Sequence, residues 1–304
     1  LTNADGTISS FIAETSPLNP LESNKVNTST LLPNPAPGLP PPNTLLSTSQ
    51  YLYVSQPGRS SIEVTNSSVG GAPTAFLEIP ITDPANPSVP QNPVNLVGNT
   101  SAQRVYAISQ GANAGNCPTS GSNGTATGIE TSPNTISSTL PLGVCPIYGV
   151  MSPDNRRTFI LNEGSGTVTV IDSQQNEIDP NFPNGIAVGQ GPVWADIYNN
   201  GAILAVANSM SNTLSLINIS TDTFGHDTAN FGKIIATVPV GDSPSSVSIL
   251  QDGTRAYVAN RGDGTVSVVS LTTNTVTQTI SLPLEQCDPT NNNVGCPPIH
   301  PLSI

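Results

Sequence analysis

The sequence predicts an all-β fold, a β-propeller of four-stranded antiparallel blades, on three observations. A segment of roughly fifty residues recurs along the chain. Each copy holds four short runs of β-branched residues, and no segment sustains apolar residues at the helical spacing.

The recurrence appears when the chain is aligned on Asn260 in "YVANRGDGTVSVVSL". The same place is taken by Asn162 in "FILNEGSGTVTVIDS", Asn208 in "LAVANSMSNTLSLINIS" and Asn3 in "LTNADGTISSFIA". Ser55 in "YLYVSQPGRSSIEVT" and Ser109 in "RVYAISQGANAG" complete the series, with steps of 52, 54, 53, 46 and 52 residues. Pro93, Pro146, Pro192 and Pro244 each lie 16 residues before the aligned position of their own unit, and Pro301 opens the phrase again.

Within a unit the elements follow in order. An apolar run such as "SSVSIL" follows the proline and reads as the first strand. Asp, Gly or Asn in "QDGT" and "SPDN" supply a turn. "RAYVAN" is the second strand, a Gly/Asp/Ser turn follows, "TVSVVSL" is the third and "TNTVTQTISL" the fourth. One such blade cannot bury both faces of its sheet; stacked neighbours do so for each other. The domain expected is a single propeller over 1–304. Its Pro-rich insertion at 17–42 reads as an extended surface loop, and a Cys-containing loop spans 111–127.

About six units are visible. Leu1 reads as mid-strand, so the sequence is expected to be a fragment of a seven-bladed propeller. Six blades closed by a blade shared between the termini is the alternative.

Composition narrows the function. Charged residues are 9% of the chain, against about 25% in ordinary soluble proteins, so Ser, Thr, Asn and Gly must wet the surface. A formal charge of -12 speaks against nucleic-acid partners and anionic membrane surfaces. No apolar run reaches the roughly 20 residues of a membrane helix, and no membrane insertion is expected.

The four cysteines allow three connectivities, of which Cys117 with Cys145 and Cys287 with Cys296 is the least demanding. Five glycosylation sequons stand at Asn27, Asn66, Asn99, Asn123 and Asn218. With the scarcity of lysine, these features point to a secreted or cell-surface protein.

Chemistry-bearing residues are sparse. His226 falls between the third and fourth strands of its unit and His300 lies in "CPPIHPLSI"; neither neighbours a nucleophile motif. "CPPIH" is not a haem attachment site. Asp5, Asp154, Asp252 and Asp263 read as turn residues bonded to their own backbone. Glu130, Glu163 and Asp172 read as repeat-unit positions or turn residues, and Trp194 as blade packing. Lys25 and Lys233 are the only lysines, which makes Schiff-base chemistry an unpromising option. No catalytic residue, metal or cofactor is expected.

"PSSVSILQDGTRAYVANRGDGTVSVVSLTTNTVTQTI" resembles the YVTN repeat of secreted bacterial and archaeal β-propellers, with "YVAN" at Tyr257–Asn260 in the place of Tyr-Val-Thr-Asn. The resemblance is strong for Pro146–Ile280 and weaker but in phase for Leu1–Leu142. Some propellers of this kind resemble lactonases, which implies Glu, His, Asn and Arg gathered at one channel mouth. With two histidines in the chain, the reading favoured is a non-enzymatic extracellular scaffold or recognition module. It would bind a protein, a glycan or its own copies. A lactonase-type hydrolase is the alternative. Arg261-Gly262-Asp263 has the form of an adhesion tag, but Glu163-Gly164-Ser165 and Ser209-Met210-Ser211 fill the same slot, so a hairpin turn is expected.

Overall fold

A computed structural model describes residues 7–10, 27–30, 43–66, 75–83, 86–99, 101–111, 117, 121–198 and 202–282. Each run of alternating β-branched residues between turn signals in this part is a strand, and the one helical element is a 3-10 turn at Pro57–Arg59. The chain divides into two compact units, Leu1–Leu142 and Gly143–Ile304.

The first unit holds two four-stranded antiparallel sheets. One is β3 (Leu45–Ser47), β4 (Tyr51–Gln56), β5 (Ser61–Asn66) and β6 (Ala75–Pro80). The other is β9 (Pro93–Val97), β10 (Arg104–Ser109), β11 (Asn123–Glu130) and β12 (Thr135–Val144, whose last two residues belong to the second unit). Two hairpins accompany them, β1 (Thr7–Ser10) with β2 (Asn27–Thr30) and β7 (Thr82–Asp83) with β8 (Asn86–Pro90).

The second unit holds three sheets. The first is β13 (Pro146–Met151), β14 (Arg157–Asn162), β15 (Thr167–Asp172) and β16 (Glu177–Ile178), with β17 (Ile186–Ala187) also on β15. The second is β18 (Pro192–Ile197), β19 (Ile203–Asn208), β20 (Thr213–Asn218) and β21 (Ile234–Pro239). The third is β22 (Pro244–Ile249), β23 (Arg255–Asn260), β24 (Thr265–Ser270) and β25 (Thr275–Ser281). Sheets of four antiparallel strands in chain order are the blades of a β-propeller, and the predicted fold class holds.

The core lies between blades. Phe159, Leu161, Val168 and Val170 pack against Ala195, Leu204 and Val206 of the next blade. Ala205 and Ala207, which alternate with those residues along β19, join Leu214 and Leu216 against Ala256, Val258 and Val269 of the third. Both faces of β19 are therefore buried, which is why "ILAVA" carries no polar alternation. In the first unit Tyr53, Ile62 and Val64 meet Leu96, Val105 and Ala107 in the same way.

Three sequence expectations need correction. Gln56, not Ser55, ends β4 and faces Ser61, as Asn162 ends β14 and faces Thr167. Tyr53 then matches Phe159, and both lie in interblade cores. The loop expected at 111–127 is shorter, because β11 begins at Asn123. Within the insertion at 17–42, Asn27–Thr30 is a strand paired to β1 rather than loop; the rest of that segment lies outside the described residues.

Candidate functional site

Asn162, Asn208 and Asn260 are buried at the end of the second strand in the three blades of the second unit. Asn208 Nδ2 donates to Thr213 Oγ1 at 3.1 Å and Ser215 Oγ at 3.0 Å. Asn162 does the same to Thr167 and Thr169, and Asn260 to Thr265 and Ser267. In the first unit Gln56 Nε2 reaches Glu63, seven residues on, by the same pattern. The repeated Asn thus ties the second strand to the third at the hairpin end. Asn208→Ala should cost about 1–3 kcal/mol, because the buried Ser215 hydroxyl and the part-buried Thr213 hydroxyl lose their shared donor. Urea unfolding measures this, and Asn162→Ala and Asn260→Ala should give similar losses.

A glycine sits above each of these asparagines. A Cβ on Gly143 would lie 2.9 Å from Asn162 Cγ, on Gly189 2.8 Å from Asn208 Cβ, and on Gly241 2.5 Å from Asn260 Nδ2. Each glycine precedes its Asn by 19 residues and the blade-opening proline by three. The residue just before that proline is left-handed in all three cases, with φ of 52° at Cys145, 66° at Gly191 and 51° at Ser243. Its carbonyl accepts the backbone N–H of the residue after the Asn, at 3.0, 2.7 and 3.1 Å in the three blades. The residue after the proline is then bulged out of register, which re-aims the start of the first strand. Where Ser109 replaces the Asn, Pro90 replaces the Gly. There the hydroxyls of Ser109, Thr125 and Thr127 are buried without a hydrogen-bond partner, since serine is too short to reach them.

The residue after the Asn is the slot that this frame presents. It holds Glu163, Ser209 and Arg261 in three successive blades of the second unit. Glu163 is half-buried, and burial pushes its carboxyl above the ordinary carboxylate value. Ser209 Oγ donates to the Gly191 carbonyl at 3.0 Å, and Arg261 is exposed. An acid–base group, a hydroxyl and a cation therefore occupy one equivalent position. In the sequence Glu163 reads as a repeat-unit or turn residue, and only its burial sets it apart.

Asp263, the last residue of the Arg261-Gly262-Asp263 tripeptide, has local work. Asp263 Oδ1 accepts the Asp242 N–H at 2.6 Å, the role Ser165 Oγ plays for Val144 N–H at 2.6 Å. Arg261→Ala should change stability by no more than about 0.5 kcal/mol in urea unfolding, as expected of an exposed turn side chain.

A second polar cluster lies at the other end of β14. Arg157 Nη1 donates to Asp172 at 2.6 Å and Nη2 to Asp227 at 2.7 Å, while Nε lies 3.5 Å from Asp179. Arg156 Nη2 adds a 3.8 Å pair with Asp227. The Arg157 guanidinium also sits 5.9 Å from the Phe231 ring centroid. Asp227 comes from the loop between β20 and β21, so this cluster clamps one blade's hairpin end to the next blade's loop.

The other sequence candidates scatter. Cys117 and Cys145 are both disulfide-bonded, which points to an oxidising compartment; Cys287 and Cys296 lie outside the described residues. Among the sequons, Asn123 is exposed at the start of β11, and Asn99 is half-buried after β9. Asn218 is half-buried, with its Oδ1 accepting from the Ser220 N–H and hydroxyl. Asn27 and Asn66 lie in β2 and at the end of β5. His226 is exposed beside Asp222 at 3.4 Å, and His300 is outside the described residues. Asp154 and Asp252 accept backbone N–H groups two residues on, as expected of turn residues. Trp194 packs against the core between the second and third blades of its unit and stacks on Tyr148 at 4.3 Å. Among the described residues no group of His, Cys, Asp and Glu is arranged to hold a metal, and no helix is long and apolar enough to cross a membrane.

No family model matches the chain, and no curated protein matches it. Solved structures share its fold. A functionally unknown protein from Desulfotomaculum acetoxidans matches with TM-score 0.62 and 15% identity, over 90% of this chain and 76% of that one. A candidate 6-phosphogluconolactonase from Bacteroides fragilis matches with TM-score 0.62 and 15% identity, over 92% of this chain and 79% of that one. The periplasmic gluconolactonase of Pseudomonas aeruginosa matches with TM-score 0.53 and 16% identity, over 77% and 68%. At such identities the likeness is one of fold.

Proposed function

We propose that the chain is a lactonase-type hydrolase of the YVTN-repeat kind, acting in a periplasmic or extracellular setting, with Glu163 as its general base. The observation that carries this reading is a half-buried carboxyl, raised by desolvation, in the slot that the conformation of each blade presents. Two of the similar folds bear lactonase names, which favours a hydrolase over the scaffold expected from composition. Nothing among the described residues speaks for the scaffold. The YVTN assignment rests on the "YVAN" and "FILN" phrases and on the Asn–Gly pairing they encode. The setting rests on the disulfide-bonded Cys117 and Cys145.

A lactone is a cyclic ester. In the proposed reaction the Glu163 carboxylate takes a proton from water as the water oxygen bonds to the ring carbonyl carbon. The ring C–O bond then breaks, and the proton passes from Glu163 to the departing alkoxide oxygen. A carboxyl with raised proton affinity is a stronger base than an exposed one. Arg261, two blades along in the equivalent slot, supplies positive charge for the carbonyl oxygen as it becomes an oxyanion. The test is acid release from a panel of five- and six-membered lactones by the purified protein. Turnover above spontaneous ring opening, lost in Glu163→Gln, supports the reading; equal rates with and without protein refute it.

A further inference from the structure

We propose that β25 is a self-association edge, where two copies of this chain join their outer strands antiparallel across a two-fold axis. β25 closes the order of its sheet and pairs only with β24 among the described strands. Six of its seven residues are exposed.

An exposed edge strand is a template for another strand unless something blunts it. The other outer strands carry such devices. β6 contains Glu78, paired to Arg59, and ends at Pro80. β12 contains Pro141. β16 is two residues long and includes Glu177. β21 follows Lys233 and ends at Pro239. β25, "TVTQTIS", has seven residues with neither proline nor charge. Like β6 and β21 it has a register shift, here beside Thr277, but Gln278 to Ser281 run in regular register with Val268 to Thr265.

The chemistry selects a second copy as the occupant. The chain carries a formal charge of -12, so copies repel over most of their surface. From Gly264 to Leu284 no side chain is ionisable, so the residues of β25 that pair across the axis bring no like charges together. A two-fold centred on Thr279 sets Thr279 against its own copy and Gln278 against Ile280. It keeps each pair on one face of the joined sheet. Opposed threonines are among the favourable cross-strand pairs. Strand addition needs no pocket, and the result is one sheet of eight strands across the two copies. The proposal does not depend on the hydrolase reading.

Sedimentation velocity over roughly two decades of concentration around the micromolar range tests it. Wild type should shift from monomer to dimer as concentration rises. Thr279→Lys places two like charges opposite each other at the axis and should weaken the dimer by roughly tenfold or more. Because Thr279 is exposed, the variant should keep its melting temperature and any lactone turnover. Thr279→Ser, which keeps the hydroxyl, should dimerise as wild type does. A wild type that stays monomeric throughout, or a folded Thr279→Lys that dimerises as tightly as wild type, overturns the proposal.

Discussion

Arg157→Ala should destabilise the protein by about 3–5 kcal/mol, the scale of breaking a buried ion pair from one side. The guanidinium serves three carboxylates that the chain separates by 15, 22 and 70 residues: Asp172, Asp179 and Asp227. Only 2% of the Asp179 side chain is exposed, so its carboxylate cannot recover water when the arginine is cut away. Arg156 reaches Asp227 alone, at 3.8 Å, and cannot replace the fork. The lost guanidinium also uncovers the Phe231 ring, which packs in the core between the first two blades of its unit. The loss is therefore partly charge and partly packing. Adding Asp179→Asn to Arg157→Ala separates the two, since it removes the most buried carboxylate and restores only the electrostatic part. Urea unfolding of the single and double variants reads both contributions. A loss within about 0.5 kcal/mol for the single variant would mean that the cluster is ornamental.

Glu163→Gln should lower lactone turnover by about 10²- to 10⁴-fold, the usual contribution of a general base, while making the protein more stable at neutral pH. The sign follows from the direction of the shift. Burial raises the carboxyl, so the folded state holds the Glu163 proton more tightly than the unfolded chain does. Its contribution to stability is fully present below the ordinary carboxylate value and is lost as pH rises through the raised folded value. At neutral pH the ionised Glu163 is thus a burden that glutamine removes. The melting temperature of Glu163→Gln should exceed that of wild type at neutral pH, with the gap closing in acid. A side chain kept at the expense of stability is what a functional group looks like, whereas a structural residue would lose stability on replacement. A variant less stable than wild type at neutral pH would assign Glu163 to the frame.

Much of the frame was legible in the sequence, because the repeat writes it several times. The Asn at positions 162, 208 and 260 marks the register of the repeat, and the structure adds its purpose, which is to donate to the hydroxyls five and seven residues on. The glycine three residues before Pro146, Pro192 and Pro244 is equally visible as spacing. Its meaning, room for the Asn side chain, needs coordinates. The first unit misled the alignment because "VSQ" offers a serine where the motif has Asn. Strand pairing with β5 places Gln56 in the slot instead. The Arg157 cluster left no local trace, since its partners come from two blades and no spacing rule joins them. Glu163 does not stand out in the sequence. Its residue type is ordinary, and the desolvation that raises its carboxyl is a property of the folded blade.

The direct measurement is the pH dependence of kcat/KM for lactone opening by wild type and by Glu163→Gln. The account predicts turnover that rises with pH through a single ionisation above the ordinary carboxylate value in wild type and is flat and low in the variant. No turnover above spontaneous opening, or the same profile in both proteins, would contradict it.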